Sequence, residues 1–273
     1  MTITRESSDP GTTHDGHPAA RRAWVRHLLG MPFSVHVRGP QALGPEVDAL
    51  VGQALAVVRD VDRCFNPFRP DSELSLLNAG LLAGEDGSPQ LREVTALCEQ
   101  ARALTGGAFD AELPDARGRR RLDPSGLLKG WAVERAAAEL TLLEGHDWVV
   151  SAGSDLRVSC VPGSSWRVGV QDPADPTRLL RVLELSSGAV ATSGGARAGA
   201  RVVHPASGQP ADGARAVTVV GDSAVWADAF ATAGVVKGAG AFAWLSALPG
   251  YEAAVVERDG RTRSTWGPGA RPR

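Results

Sequence analysis

Apolar residues follow two patterns along the chain, and each predicts a different kind of element. Residues 33–38 alternate apolar and polar side chains between Pro32 and Gly39, which predicts a strand with one buried face. Apolar residues at helical spacing predict one helix that begins at Pro45 and others over about 89–104, 125–143, 223–236 and 240–247. After Trp148, short apolar runs separated by Gly, Pro and Asp predict a mostly antiparallel sheet over 148–151, 156–160, 166–170, 180–185, 200–204, 215–220, 252–257 and 262–266.

Polar segments at the two ends frame one folded unit. Residues 1–22 contain almost no apolar side chains and are expected to be a disordered lead-in, and residues 267–273 are expected to be a tail. Between them, residues 23–266 show no repeat of fixed period and no Pro/Gly/Ser-rich linker. Helices combined with a mostly antiparallel sheet predict a single domain of the α+β class.

Charge and composition exclude several classes of partner. Lys+Arg 29 against Asp+Glu 31 gives a net charge of -2, which offers no basic excess for sequence-independent binding of nucleic acid. Charges interrupt every apolar stretch before the roughly 20 residues that a membrane helix requires. The first residues lack the apolar core of a secretion signal, so we expect a cytoplasmic protein without membrane partners. Cys64, Cys98 and Cys160 have no metal-site spacing and are expected to be buried thiols.

Residues 224–236 carry the first candidate chemistry. Only Asp228 and Thr232 can act as oxygen ligands there, and a separation of four residues places both on one helix face. The other side chains are small or apolar, so the helix is expected to be buried, where a carboxylate needs a cation or several donors. Carboxylate and hydroxyl oxygens suit a hard ion such as Mg²⁺. The alternative is structural: Asp228 caps another element and Thr232 bonds back to its own helix.

Two further segments combine glycine with polar side chains. Thr105-Gly-Gly-Ala-Phe-Asp110 joins a helix stop to a Phe–Asp pair, which could stack on a ring and accept a hydrogen bond from a ligand, or could be an ordinary helix C-cap. The segment from Asp123 to Lys129 opens a helix whose free amides would face an anion. Its alternative is a capped amphipathic helix with a solvated lysine. Lysine is rare in this chain, which has only Lys129 and Lys237.

Taken in chain order, these segments resemble the ApbE family, the FAD:protein FMN transferases. The similar part covers roughly residues 31–257 and contains the family's Thr-Gly-Gly-Ala-Phe-Asp motif unchanged at 105–110. The other similar segments are Met31-Pro-Phe33, residues 62–74 followed by Asn78, residues 123–131, Ala191-Thr-Ser-Gly194 and residues 227–232. The resemblance implies a T-fold-like α+β architecture of two intimately joined lobes.

The resemblance also implies a reaction and a site. Family members bind FAD between the lobes with Mg²⁺ at the pyrophosphate, and they transfer FMN to a Thr or Ser of an acceptor protein with release of AMP. Carried onto this sequence, the metal ligands are the backbone carbonyl of Gly126 and the side chains of Asp228 and Thr232. The implied nucleotide contacts are Met31, Phe68, Ala108, Phe109, Asp110, Asp123 and Lys129.

The chain departs from the family pattern at one catalytic position. The family histidine falls on Arg201, and His204 takes the place of the family aspartate. A bend at Pro205 would let His204 accept the proton of an acceptor hydroxyl, whereas Arg201 could act only as a fixed cation on phosphate. The alternative for His204 is a surface turn residue. Three hypotheses follow: an FMN transferase, an FAD pyrophosphatase that yields FMN and AMP, and a non-catalytic FAD-binding protein.

Overall fold

The structure is a computed structural model that describes residues 2–3, 20–115, 117–194 and 202–266. Two short 3₁₀ turns, Gly84–Asp86 and Gly238–Gly240, accompany the regular elements. The helices are α1 (Pro45–Phe65), α2 (Glu73–Asn78), α3 (Pro89–Thr105), α4 (Ser125–Leu140), α5 (Ala224–Lys237) and α6 (Ala241–Leu245). The strands are β1 (Thr2–Ile3), β2 (Arg21–Leu28), β3 (Met31–Arg38), β4 (Glu112–Pro114), β5 (Arg120–Leu122), β6 (Asp147–Ala152), β7 (Asp155–Ser159), β8 (Trp166–Gln171), β9 (Leu179–Leu185), β10 (Ser187–Gly194), β11 (Ala216–Gly221), β12 (Glu252–Val256) and β13 (Thr262–Ser264).

One antiparallel sheet organises the chain. Its eight strands run in the order β13-β12-β11-β10-β7-β6-β3-β2, while β1-β8-β9 and β4-β5 form two smaller sheets. Alternate residues of the large sheet face opposite sides, so Val150 packs under the helices while Val149 packs against β8 and β9. Because neighbouring strands are antiparallel, the start of β3, the β6–β7 turn and the end of β10 lie at the same end of their strands. The predicted α+β class with a mostly antiparallel sheet is confirmed.

The predicted lead-in over 1–22 is wrong at both of its described parts. β2 begins at Arg21, and Thr2–Ile3 pairs with β8. β2 was missed because it is an edge strand on which only Trp24 is buried, so its sequence lacks the apolar alternation of a half-buried strand. Residue 1, residues 4–19 and the expected tail at 267–273 lie outside the described residues.

One further prediction is wrong, and three features of the fold were not predicted. The strand expected over 200–204 is absent from its described part, 202–204, where Val203 forms only an isolated bridge with Pro210. The short helix α2 and the β4–β5 hairpin were not predicted. The strand β10 was not predicted either, because most of its residues are small and lack the β-branched and aromatic side chains typical of strands.

No helix in the described ranges combines the length and the apolar character needed to cross a bilayer. The predicted burial of the cysteines is confirmed for Cys64 and Cys98, and Cys160 is partly buried. Burial raises the pKa of Cys98 to about 12, so this thiol stays protonated near neutral pH and is a poor nucleophile.

Candidate active site at the contact of α4 and α5

Helices α4 and α5 pack against each other in opposite directions. Residue 126 faces residue 232, and residue 130 faces residue 228 one turn further along. The approach is close at Gly130, where a Cβ atom would lie 2.2 Å from the backbone oxygen of Ala224. Only glycine fits this contact, and it brings the backbone of α4 within reach of the Asp228 side chain.

A lysine and two aspartates form a buried cluster at this contact, which consists of Lys129, Asp155 and Asp228 and is called the Lys129 cluster below. Lys129 Nζ donates to Asp228 Oδ1 at 2.7 Å and to Asp155 Oδ2, and the Gly130 amide donates to Asp228 Oδ2 at 3.2 Å. The Asp155 and Asp228 side chains are fully buried, whereas the Lys129 side chain is 20% exposed. The cation that Asp228 was expected to need is therefore present as Lys129, and the alternative of a solvated lysine is wrong.

The cluster holds two acids and a single base, and its electrostatics follow from that ratio. Burial raises the pKa of Asp228 to about 7, the charge of Asp155 adds to this effect, and Lys129 opposes it. Burial alone would lower the pKa of Lys129, but the two carboxylates outweigh burial and raise it. An acid that is costly to ionise gains most from a further cation, so this excess of carboxylate favours a metal ion.

Neutral oxygens lie one helical turn from Asp228. The Thr232 hydroxyl donates to the Gly126 carbonyl at 3.2 Å, and the Ser193 hydroxyl lies 3.0 Å from Thr232 Oγ1. A Cβ at Gly126 would lie 2.9 Å from the Phe109 ring, so this position also requires glycine. The structure thus brings the three implied metal ligands, Gly126, Asp228 and Thr232, to one helix contact.

Three of the residues implied for the nucleotide, Ala108, Asp110 and Asp123, lie in the segment that leads from α3 to the N-terminus of α4. Asp123 accepts from the Ser125 amide at 3.0 Å in the turn before α4, and Pro124, not Asp123, is the N-cap residue of the helix. Asp110 accepts from Arg102 at 3.1 Å and from Arg120 at 3.0 Å, while Ala108 is partly exposed on the loop before it. These contacts hold Asp110 in place beside the hairpin that leads to Asp123.

The two phenylalanines have opposite environments. Phe68 is 91% exposed on the loop after α1 and has a free ring face. Phe109 is 3% exposed and packs in the core beneath Gly126, so the expectation that its ring offers a stacking face is wrong for this conformation. Met31 lies at the same end of the strands as the Lys129 cluster, and its sulfur lies beside Gly153 of the β6–β7 turn.

His204 lies in an exposed turn. Its amide donates to the Gln209 carbonyl at 2.8 Å, and its Nδ1 accepts from the Ala206 amide at 3.3 Å. The turn packs against the β4–β5 hairpin, since a Cβ at Gly208 would lie 2.9 Å from the Pro114 side chain. The described residues include no hydrogen bond from His204 to the Lys129 cluster, and Arg201 lies outside them.

Two residues of the motif over 62–78 form hydrogen bonds that hold neighbouring backbone segments in place. Asn78 accepts from the Leu122 amide at 2.8 Å and donates to its carbonyl at 2.9 Å, which fixes the strand before Asp123. Asp62 accepts from the Leu29 amide at 2.9 Å in the turn before Met31. The motif over 62–78 therefore shapes the surroundings of the site.

Sequence reasoning missed Asp155 as a site residue. The segment Ser151-Ala-Gly-Ser-Asp155 has the sequence of a glycine-bearing turn at a strand end, which could line a nucleotide cleft or be a plain hairpin, and it does not single out the carboxylate. In the structure Asp155 begins β7 and accepts from Lys129, from the Thr192 amide at 3.1 Å and from the Ser154 hydroxyl at 3.2 Å. An aspartate after a small-residue turn, followed by an apolar strand, is a weak signal for such a buried acid.

Solved structures with the same fold define the class of protein. An ApbE protein from Thermotoga maritima is similar with a TM-score of 0.76 at 23% identity, over 90% of this chain and 97% of that chain. The flavin transferase ApbE from Vibrio cholerae has a TM-score of 0.75 at 22% identity, and the match covers 90% of this chain and 97% of that chain. The flavinyl transferase ApbE from Pseudomonas stutzeri, in its apo form, has a TM-score of 0.75 at 25% identity, and the match covers 90% of this chain and 95% of that chain. The chain therefore has the fold of the ApbE flavin transferases.

The sequence match agrees with the fold. The ApbE family model matches residues 29–116 and 112–255, and the chain belongs to the ApbE family. The FAD:protein FMN transferase of Rhodobacter capsulatus is 32% identical over 170 residues, which are 59% of this chain and 29% of that protein. The chain thus spans less than a third of this relative's length, and a partial match of this kind shows kinship alone.

Proposed function

We propose that the chain is a Mg²⁺-dependent FAD:protein FMN transferase that attaches FMN to a Thr or Ser of an acceptor protein and releases AMP. The observation that carries this proposal is the contact of α4 and α5, which joins Asp228, Thr232 and Gly126 beside Lys129. Family membership and the name of the Rhodobacter capsulatus relative support it. Its direct test is the transfer of FMN from FAD to an acceptor protein.

The reaction exchanges one phosphate bond for another. The acceptor hydroxyl oxygen forms a bond to the phosphorus of the FMN half of FAD, the bond from this phosphorus to the bridging oxygen breaks, and AMP leaves with that oxygen. The hydroxyl proton passes to a base. Such phosphoryl transfer depends mainly on in-line positioning and on compensation of phosphate charge.

The oxygen donors at this contact fit a magnesium ion. Asp228, Thr232 and the Gly126 carbonyl would hold it, because carboxylate, hydroxyl and carbonyl oxygens are the ligands that Mg²⁺ prefers. When bound, the ion compensates negative charge on the pyrophosphate. Among the described residues no group of three or more His, Cys, Asp or Glu side chains could hold a metal. The proposed set contains one carboxylate and two neutral oxygens, which leaves positions for phosphate oxygens and water.

The chain's own residues position the nucleotide. Lys129 supplies a positive charge near the start of α4, at the end of the helix whose dipole also favours phosphate. The exposed ring of Phe68 can stack on the flavin, and Asp110 and Asp123 can accept from its polar groups. Met31 and Ala108 contribute apolar surface, Phe109 supports Gly126 from below, and Arg201 is proposed as a phosphate contact.

His204 is the proposed proton acceptor, and two substitutions separate this role from its role in the turn. We expect His204→Ala to slow FMN transfer while FAD binding stays unchanged. His204→Asn keeps a side-chain acceptor for the Ala206 amide but lacks a base, so it should be as slow as His204→Ala. The measurement is the transfer rate between pH 6 and 8 beside FAD affinity from flavin fluorescence. Wild-type rates in both variants would leave His204 as a turn residue only.

A further inference from the structure

The oxygen of Asp228 that a metal ion would need is occupied by an ammonium group. Within the described chain, Asp228 Oδ1 accepts only from Lys129 Nζ, at 2.7 Å, whereas Oδ2 is held by the Gly130 amide at 3.2 Å. Both oxygens are buried and need a partner. A divalent cation bound to Oδ1 would lie next to the Lys129 ammonium, and repulsion between the two cations favours a state in which Lys129 gives up this contact.

Asp155 is the second partner of the Lys129 ammonium, and several contacts fix its position. Its Oδ1 accepts from the Thr192 amide at 3.1 Å and from the Ser154 hydroxyl at 3.2 Å, and its Oδ2 accepts from Lys129. The residue begins β7 and pairs with Ala152 of β6, while the Thr192 amide of β10 holds its side chain, so contacts to both neighbouring strands fix its position. Lys129 can thus leave Asp228 and remain paired.

The three side chains differ in their freedom to move. Both aspartates are fully buried, while the Lys129 side chain is 20% exposed on the first turns of α4. Lysine also carries its charge on a flexible four-carbon stem. The acids are therefore the fixed members of the cluster, and the ammonium is the member that can change position.

We infer that Lys129 is a stand-in cation for the metal ion, and that Asp155 is a positioning residue which holds Lys129 when a divalent cation occupies Asp228. The inference rests on the metal role proposed for Asp228 and does not depend on FMN transfer. Without Lys129, the metal-free protein would bury two uncompensated carboxylates. Without Asp155, the ammonium would stay on Asp228 and compete with the metal.

The lysine content of the chain makes this exchange directly observable. Lys129 and Lys237 are its only lysines, so a protein with isotope-labelled lysine side chains gives two ammonium environments in NMR spectra. Lys237, 4.8 Å from the centre of the Trp244 ring, is the internal reference, and Lys237→Arg assigns its signal. We expect Mg²⁺ alone, without FAD, to shift the Lys129 signal and to leave the Lys237 signal in place. An unmoved Lys129 signal at the highest Mg²⁺ concentration that keeps the protein soluble would overturn the inference.

Metal affinity of matched variants tests the part played by Asp155. We expect Asp155→Asn to weaken Mg²⁺ binding roughly 10- to 100-fold in calorimetry. Adding Lys129→Met to this variant removes the competing ammonium and should recover most of the loss. Asp147→Asn is the control, because Asp147 is another buried aspartate of the same sheet and is paired with Arg38. It should destabilise the fold without changing metal affinity.

The variants also separate this role from two others. If Asp155 were a direct metal ligand or only a structural residue, the double variant would bind Mg²⁺ no better than Asp155→Asn, and the inference would fail. If Asp155→Asn bound Mg²⁺ as tightly as the wild type, it would fail as well. Neither measurement uses FAD or an acceptor, so a loss of the proposed transferase activity would leave these results unaffected.

Discussion

Asp228→Asn is expected to lower Mg²⁺-dependent FAD turnover at least about 100-fold, because it removes the single charged ligand of the proposed metal site. The protein should remain folded. Asparagine keeps the shape of the side chain and can still accept from the Gly130 amide, and Lys129 keeps Asp155 as its partner. The measurement is AMP release from FAD at saturating Mg²⁺, with circular dichroism as the check on folding.

Thr232→Ser is the conservative control for this prediction. Serine keeps the hydroxyl oxygen that contacts the Gly126 carbonyl, so turnover should stay within a few-fold of the wild type. Full Mg²⁺-dependent turnover in Asp228→Asn would show that the metal binds elsewhere.

Gly130→Ala is expected to reduce the free energy of unfolding by about 3 kcal/mol or more. A Cβ at this position would lie 2.2 Å from the Ala224 backbone oxygen, so α4 and α5 would have to separate. That separation would also weaken the contact between the Gly130 amide and Asp228. The measurement is urea unfolding followed by tryptophan fluorescence.

Gly52→Ala is the matched control for Gly130→Ala. Gly52 is also a helical glycine, in α1, but a Cβ there would meet no atom within 4 Å. Its substitution should leave stability unchanged or raise it by up to about 1 kcal/mol, since alanine is the better helix former. Equal stability of the two variants would contradict the close packing of α4 on α5.

The helices were predictable because their ends carry local signals. The prediction over 89–104 matches α3, which begins with Pro89 after the Ser88 cap and ends at Gly106 with positive φ. The prediction over 223–236 matches α5, which Ser223 caps through the Trp226 amide. In contrast, β2 is an edge strand beside β3, and β10 pairs with β7 and β11, which lie further away in the chain; the side chains of β2 and β10 give little sign of these pairings.

The sequence predicted which site residues share one helix, but it did not predict contacts between residues of different elements. The four-residue spacing of Asp228 and Thr232 places both toward α4, as their contacts with Gly130 and Gly126 show. The partnership of Lys129 with two acids could not be found in this way, because these acids lie 26 and 99 positions further along the chain. The motif around Phe109 likewise does not reveal that its ring packs into the core.

The most direct test of the proposed function is an incubation of the protein with FAD, Mg²⁺ and an acceptor protein that carries a Thr/Ser flavinylation motif. Mass spectrometry of the acceptor and chromatography of the nucleotides are the readouts, with Asp228→Asn as the inactive control. We expect the acceptor to gain one FMN through a phosphoester and AMP to appear in equal amount. FMN and AMP without a labelled acceptor would instead indicate an FAD pyrophosphatase, and bound but intact FAD would indicate a non-catalytic flavin-binding protein; either result would contradict the proposed transferase.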